Sequence, residues 1–275
     1  MGFDDELDRK RLALKINKEL DEYRPKWGDF EKYRPAEEIN ADMKELSDYQ
    51  TSKGYNKQEN RDKLTDGILI EKLFLDVDTN DLLGEEALYD ELITDNEDHL
   101  IGVIPAHEYD DTFNNADMVC LVRNSLTNHE EVIFTVDCTS NFSLAENKMN
   151  YRRTKDKIKG FTDLKYFRNT NGYGEDANPK KLEKVPRFVV GVDADLAREA
   201  LANYNDWTKD EIDAKRNTIK YHLLKELSAQ AEGRDERLSK YFDRLLESFN
   251  ENHDASKCDN DFISNKIIEV AEGTQ

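Results

Sequence analysis

Two aspartates at the ends of apolar runs carry the chemistry that this chain offers most plainly. Asp117 opens "DMVCLVR" and Asp137 closes "EEVIFTVD", each where β-forming residues give way to polar ones. The link "NSLTNH" has turn composition, so the two runs read as a hairpin. Pairing Arg123 with Glu131 makes antiparallel partners sum to 254, which sets Asp117 opposite Asp137 on one face. Residues so opposed hold their Cβ atoms about 4.5–5.5 Å apart. Carboxylates that close repel each other unless a proton or cation lies between them. A hard divalent ion, Mg2+ or Mn2+, answers that need, because Mg2+ binds through one or two carboxylates and keeps several waters. The plainer alternative is that each aspartate ends its strand in another register and does nothing more.

A lysine completes the set. After Asp137, "SLAENKMNYRRTKDKIKG" reads as a helix ending at Gly160, with Leu144, Tyr151 and Ile158 spaced seven residues apart in an apolar stripe. Lys148 and Lys155 fall within that stripe. Lys148, nearest the strand end, is expected to position or activate a water beside the two acids; its bland role is to snorkel past the stripe to solvent. Charge distribution adds to this. Residues 143–187 hold twelve basic and six acidic side chains, +6 within a chain of net −20, leaving −26 for the remainder. Such a segment suits a polyanion-binding patch and equally suits a solvated helix face.

Three regions position these residues. Residues 1–60 read as two polar helices, "DDELDRKRLALKINKELDEYR" and "PAEEINADMKELSDYQTSK", forming a helical arm or outer layer. Residues 61–205 carry the core: a helix over "KLTDGILIEKLFLDV", strands over "HLIGVIPA", "DMVCLVR" and "EEVIFTVD", the helix with Lys148, strands over "FTDLKYF" and "PRFVVGVD", and a helix over "ADLAREALANY". Residues 206–275 read as three further helices, with a break at Gly233.

Composition bounds the function class. No run approaches eighteen apolar residues, and "MGFDDELDRKRLALK" is too acidic for a signal peptide, so a soluble cytoplasmic protein without a membrane role is expected. The three cysteines lack C-x-x-C spacing and the five histidines lack i, i+4 pairs, which argues against a disulfide framework and a zinc site.

The order α-β-β-β-α-β, with one acid opening the second strand and another closing the third, resembles the PD-(D/E)xK nuclease-like superfamily over about residues 61–170. In that family the first helix often carries a glutamate after a glycine, as Glu71 follows Gly67 in "DGILIEKLFL". The resemblance implies an α/β restriction endonuclease-like core with a mixed sheet, plus N- and C-terminal helical additions. It further implies metal-dependent phosphodiester hydrolysis of DNA or RNA, with Asp117, Asp137 and the Cys138 carbonyl around Mg2+ or Mn2+, Glu71 assisting, and Lys148 at the water. Arg152, Lys155 and Lys159 would meet the nucleic-acid backbone. One departure stands out: the family's lysine two residues after the second acid is Thr139 here, and Lys148 is then the displaced equivalent.

Rival readings remain open. "TDLKYF" contains a literal D-x-K in Asp163 and Lys165, with Asp137 as its first acid, but it needs a helix between the motif strands. A decayed site would leave a non-catalytic binding or scaffold protein, whose helical arms suit a homodimer or a protein partner. A third reading is an acidic regulator that mimics nucleic acid.

Overall fold

A computed structural model describes residues 5–54, 71–72, 98–124, 131–140, 160–168, 180–201 and 209–273. Its centre is a five-stranded mixed sheet in the order β1-β2-β3-β5-β4, an α/β arrangement. Strands β1 (Asp98–Pro105), β2 (Met118–Asn124) and β3 (Glu131–Thr139) form an antiparallel meander. Strand β5 (Lys180–Gly191) lies parallel to β3, and β4 (Phe161–Phe167) pairs antiparallel with β5 at the far edge. Parallel neighbours need a crossover connection, and the chain between Thr139 and Lys180 supplies it by way of β4.

Alternation along the strands divides the sheet into two apolar faces. Met118, Cys120 and Val122 of β2 share one face with Phe134, Val136 and Cys138 of β3 and with Phe188 and Val190 of β5. Helices cover that face: Ile16 and Leu20 of α1 (Asp5–Tyr23), Ile219, Leu223 and Leu227 of α5 (Lys209–Ala231), and Leu238, Tyr241 and Phe242 of α6 (Glu236–Asn252). Phe134, Phe188 and Phe242 meet edge to face, with centroids 5.4–5.5 Å apart, a geometry that adds about 0.5–1.5 kcal/mol per pair beyond area burial. Residues from the N-terminal, central and C-terminal regions thus share one core cluster. The opposite face gathers Ile104, Val119, Leu121, Leu164, Phe167 and Val185.

The N-terminal segment docks on β4. In α2 (Ala36–Lys53), Asp42 accepts a hydrogen bond of 2.5 Å from the Tyr166 hydroxyl and pairs with Lys165 Nζ at 2.6 Å. Around Tyr166 stand Trp27, Phe30 and His107 at centroid distances of 4.9, 5.0 and 4.6 Å. His107 is 1% exposed, and burial beside Arg24 and Lys26 drives its pKa down to about 3, so the imidazole is neutral.

Helix α3 (Glu108–Asn114) follows β1, where sequence reading gives only a connection. It has seven residues with a single i, i+4 aromatic pair, Tyr109 and Phe113, too few to make a periodic signal. His107 caps its first turn through Nδ1, and Glu108, Asp110 and Asp111 there suit the helix dipole. Asp110 accepts the backbone amides of Lys165 and Tyr166, each at 2.7 Å, and so ties α3 to β4 where that strand's register shifts.

Strand β5 begins six residues before the expected Pro186, through the charged "KKLEKV". Lys184 adopts φ 57° there, and the Asp163 carboxylate holds its amide at 3.0 Å. Beyond Pro186 the partner strand β4 runs out. Helix α5 covers the exposed edge instead: the Gln230 side chain accepts from Val189 N at 2.9 Å and donates to Val189 O at 2.6 Å, and Glu226 accepts from Gly191 N at 2.8 Å. Burial pushes the Glu226 carboxyl well above the ordinary carboxylate range. Two further helices, α4 (Ala194–Leu201) and α7 (Phe262–Glu272), complete the C-terminal half, and α7 packs Ile263, Ile267 and Val270 on Val189. Among the described residues, no helix is long and apolar enough to cross a membrane.

Candidate acidic site at the sheet rim

Every β2–β3 pair from Met118–Val136 to Arg123–Glu131 sums to 254, the register expected from sequence. At the rim the ladder slips. Asp117 N donates to Val136 O at 2.9 Å, and the Asp117 carboxylate accepts the Cys138 amide at 2.5 Å. The carboxylate of Asp117 is therefore held against the Asp137–Cys138 peptide. Since Val136 and Cys138 lie on the helix-covered face, alternation puts Asp137 on the other one, while Asp117 stands just before the first residue of β2. Asp137 is 1% exposed, with Val189 of β5 beside it in register. Asp117 is half-buried. Asp117 holds the Cys138 amide at the start of β2, whereas Asp137 lies inside β3, which continues to Thr139 and does not end at Asp137 as the sequence suggests.

A guanidinium joins this rim. Arg24, just beyond α1, has a side chain 11% exposed and donates from Nη1 to Ala106 O at 2.6 Å and to Asp111 at 3.2 Å. Its Nη2 lies 3.7 Å from Glu71 Oε2, and its Nε 3.9 Å from Asp21. Desolvation pulls the Arg24 pKa down, but Asp111, Glu71, Asp117 and Asp21 more than offset that and hold it above its ordinary value. Glu71 is therefore brought beside Arg24. Lys72, its helical neighbour, pairs with Glu19 of α1 at 3.6 Å. Sequence reading missed Arg24 and Asp111. Arg24 sits at the end of a polar helix assigned to an arm, and its only local signal is the Pro25 that ends the helix.

Carboxylates and a backbone carbonyl are oxygen ligands of the kind Mg2+ takes while keeping waters, so Asp117, Asp137 and the Cys138 carbonyl are chemically able to hold such an ion. Among the described residues, no three His, Cys, Asp or Glu side chains converge as a metal-holding group. Lys148, Arg152, Lys155 and Lys159 lie outside the described residues. The alternative D-x-K is committed elsewhere. Asp163 holds the Lys184 amide, Lys165 is paired with Asp42, and β4 is separated from β3 by β5.

No protein-family model matches the chain, and neither a curated protein nor a solved structure shows a significant similarity to it.

Proposed function

We propose that this chain is a metal-dependent nuclease-like protein that hydrolyses phosphodiester bonds in DNA or RNA through the acidic rim of β2 and β3. The observation that carries this reading is the Asp117 carboxylate on the Cys138 amide, which holds it against the peptide that follows Asp137 at the end of the β2–β3 register. The parallel pairing of β5 with β3 is consistent with a restriction endonuclease-like core in which β4 is an added antiparallel edge. Asp117, Asp137 and the Cys138 carbonyl would hold Mg2+ or Mn2+, and Glu71 would add negative charge beside them. When bound, the ion supplies Lewis acidity and lowers the pKa of a coordinated water. Lys148 is assigned the task of orienting that water, in place of the lysine absent at Thr139. Arg152, Lys155 and Lys159 are assigned to the nucleic-acid backbone.

A second reading, a non-catalytic binding or scaffold protein with a decayed site, is favoured by one observation. The rim already contains a cation, Arg24, among Glu71, Asp111 and Asp117. Cleavage assays on single- and double-stranded DNA and RNA with Mg2+ or Mn2+ separate the two. Activity lost in Asp137→Asn and Lys148→Ala, but kept in Asp163→Asn, supports the enzyme. Activity lost in Asp163→Asn and Lys165→Ala but kept in Lys148→Ala would move the site to β4, and no cleavage by wild type would favour the scaffold.

A further inference from the structure

Helix α5 carries a buried polar seam. Thr218, His222, Glu226 and Gln230 recur every four residues and are all buried, so one face of the helix presents polar groups to its neighbours. Gln230 and Glu226 meet the β5 backbone, and His222 Nε2 lies 2.7 Å from the Asp259 carbonyl oxygen. Glu226 is the one acid of the seam and is wholly buried. A second carboxyl group stands close by, where α7 begins. Asp261 caps α7: its Oδ1 accepts Ser264 N and its Oδ2 accepts Asp193 N, each at 2.8 Å. Glu226 has one such bond, from Gly191 N to Oε2 at 2.8 Å, while Oε1 is buried without a well-formed hydrogen bond, near the equally buried Ser264 hydroxyl. The charged neighbour that acts on Glu226 is Asp261, an anion, which together with burial favours the neutral acid. Other charges around α5 are engaged elsewhere. Lys215 pairs with Glu199 of α4 and with Asp259, Arg198 of α4 pairs with Asp195, and Asp243 of α6 takes the Ser228 hydroxyl. Asp137 of β3 lies across β5 from the seam.

We propose that Glu226 is a protonation latch: as a neutral acid it closes the contact of α5, β5 and α7, and its ionisation releases the C-terminal segment 255–272 from β5. The packing allows such a local release. Ile263, Ile267 and Val270 of α7 form with Val189 a cluster separate from the main core, so α7 detaches without opening the helix-covered face of the sheet. Detachment removes Ser264 and Asp261 from the carboxyl, gives it water and uncovers the Val189 side chain. In the closed form burial and Asp261 hold the carboxyl well above its ordinary 4.5, and in the open form it ionises near that ordinary value. The closed form therefore keeps a proton that the open form gives up. Its stability is complete below about 4.5 and is lost as pH rises toward the raised value, with the opening constant growing about tenfold per pH unit. The latch stands independently of any chemistry at the acidic rim.

Amide hydrogen exchange read by mass spectrometry tests this on the full chain, as wild type and as Glu226→Gln, from about pH 5 to about pH 8. Glutamine keeps an acceptor for Gly191 N and carries no charge. After correction for intrinsic exchange, protection of residues 262–272 in the wild type should fall about tenfold per pH unit, while β2 keeps its protection and Glu226→Gln shows no such fall. Equal slopes in the two proteins would overturn the latch. A loss shared by β2 would overturn it as well, since the whole molecule and not α7 would then be opening. If Glu226→Gln does not fold, the carboxyl 13C titration of Glu226 in the wild type decides. Ionisation well above 4.5 that coincides with the loss of protection in 262–272 supports the latch, and ionisation near 4.5, or without that loss, refutes it.

Discussion

Replacing Tyr166 with phenylalanine isolates one bond between the N-terminal segment and the sheet. The ring is 1% exposed and keeps its neighbours in the variant: Trp27 at 4.9 Å, Phe30 at 5.0 Å, His107 at 4.6 Å and the Arg34 guanidinium at 4.8 Å. Only the hydroxyl, 2.5 Å from Asp42, is lost. Hydrogen bonds to charged groups contribute about 1.5–3 kcal/mol. Asp42 keeps Lys165 Nζ at 2.6 Å and is not left without a donor, so the cost should fall at the lower end, about 1.5–2 kcal/mol. For a chain of this size that corresponds to a fall in Tm of roughly 3–8 °C. Urea unfolding followed by circular dichroism measures it, and a cycle with Asp42→Asn should return a coupling energy of similar size. A loss below about 0.5 kcal/mol with no coupling, the range of ordinary surface substitutions, would refute the claim that this buried pair fastens α2 to β4.

Two further outcomes test the rim and its surroundings. In Gly191→Ala the new Cβ would stand 2.3 Å from the Thr139 carbonyl oxygen and 3.1 Å from Ile263 Cγ2; backbone cannot yield as a side chain can, so a loss of about 3 kcal/mol is expected in urea unfolding. His107, with its pKa lowered to about 3 by burial and by Arg24 and Lys26, resists protonation when folded but takes a proton near 6.5 when unfolded. Its depressed value contributes stability that is present above about 6.5 and is lost as pH falls toward 3, so the wild-type urea midpoint should decline across that window more steeply than that of His107→Asn, which keeps a capping group without a titrating one.

The elements that announced themselves in the sequence are those whose burial repeats along the chain. "DMVCLVR" and "EEVIFTVD" alternate across a face, which fixed both the hairpin and its 254 register. The helices α2, α5, α6 and α7 lie within a few residues of their expected spans, because proline, aspartate and glycine mark their ends. What escaped notice lacks repetition. Helix α3 is too short to show a stripe, and the first half of β5 is an edge of lysines and a glutamate whose pairing with β4 depends on a bulge at Lys184. Asp117 could be read because it stands where β2 begins, whereas the sequence ends β3 two residues early, since the polar Cys138 and Thr139 continue the strand against β5. Arg24 could not, since its meaning comes from Glu71, Asp111 and Asp117, which are 47 to 93 positions away in the chain.

The Gln230 and Glu226 side chains bear on how copies of this protein behave toward each other. A stretch of strand with bare amides and carbonyls is a template on which another chain can add, and such addition propagates into aggregates. At Val189 one amide side chain reproduces the donor and acceptor that a neighbouring strand would have offered, and at Gly191 a carboxyl takes the next N–H. The net charge of −20 keeps copies apart at long range, but it is screened within about 10 Å at ordinary ionic strength. At contact distance this stretch of β5 is guarded by two residues on α5. Resistance to self-association therefore has a local address, and shortening Gln230 to alanine would open it without altering the charge of the molecule at all.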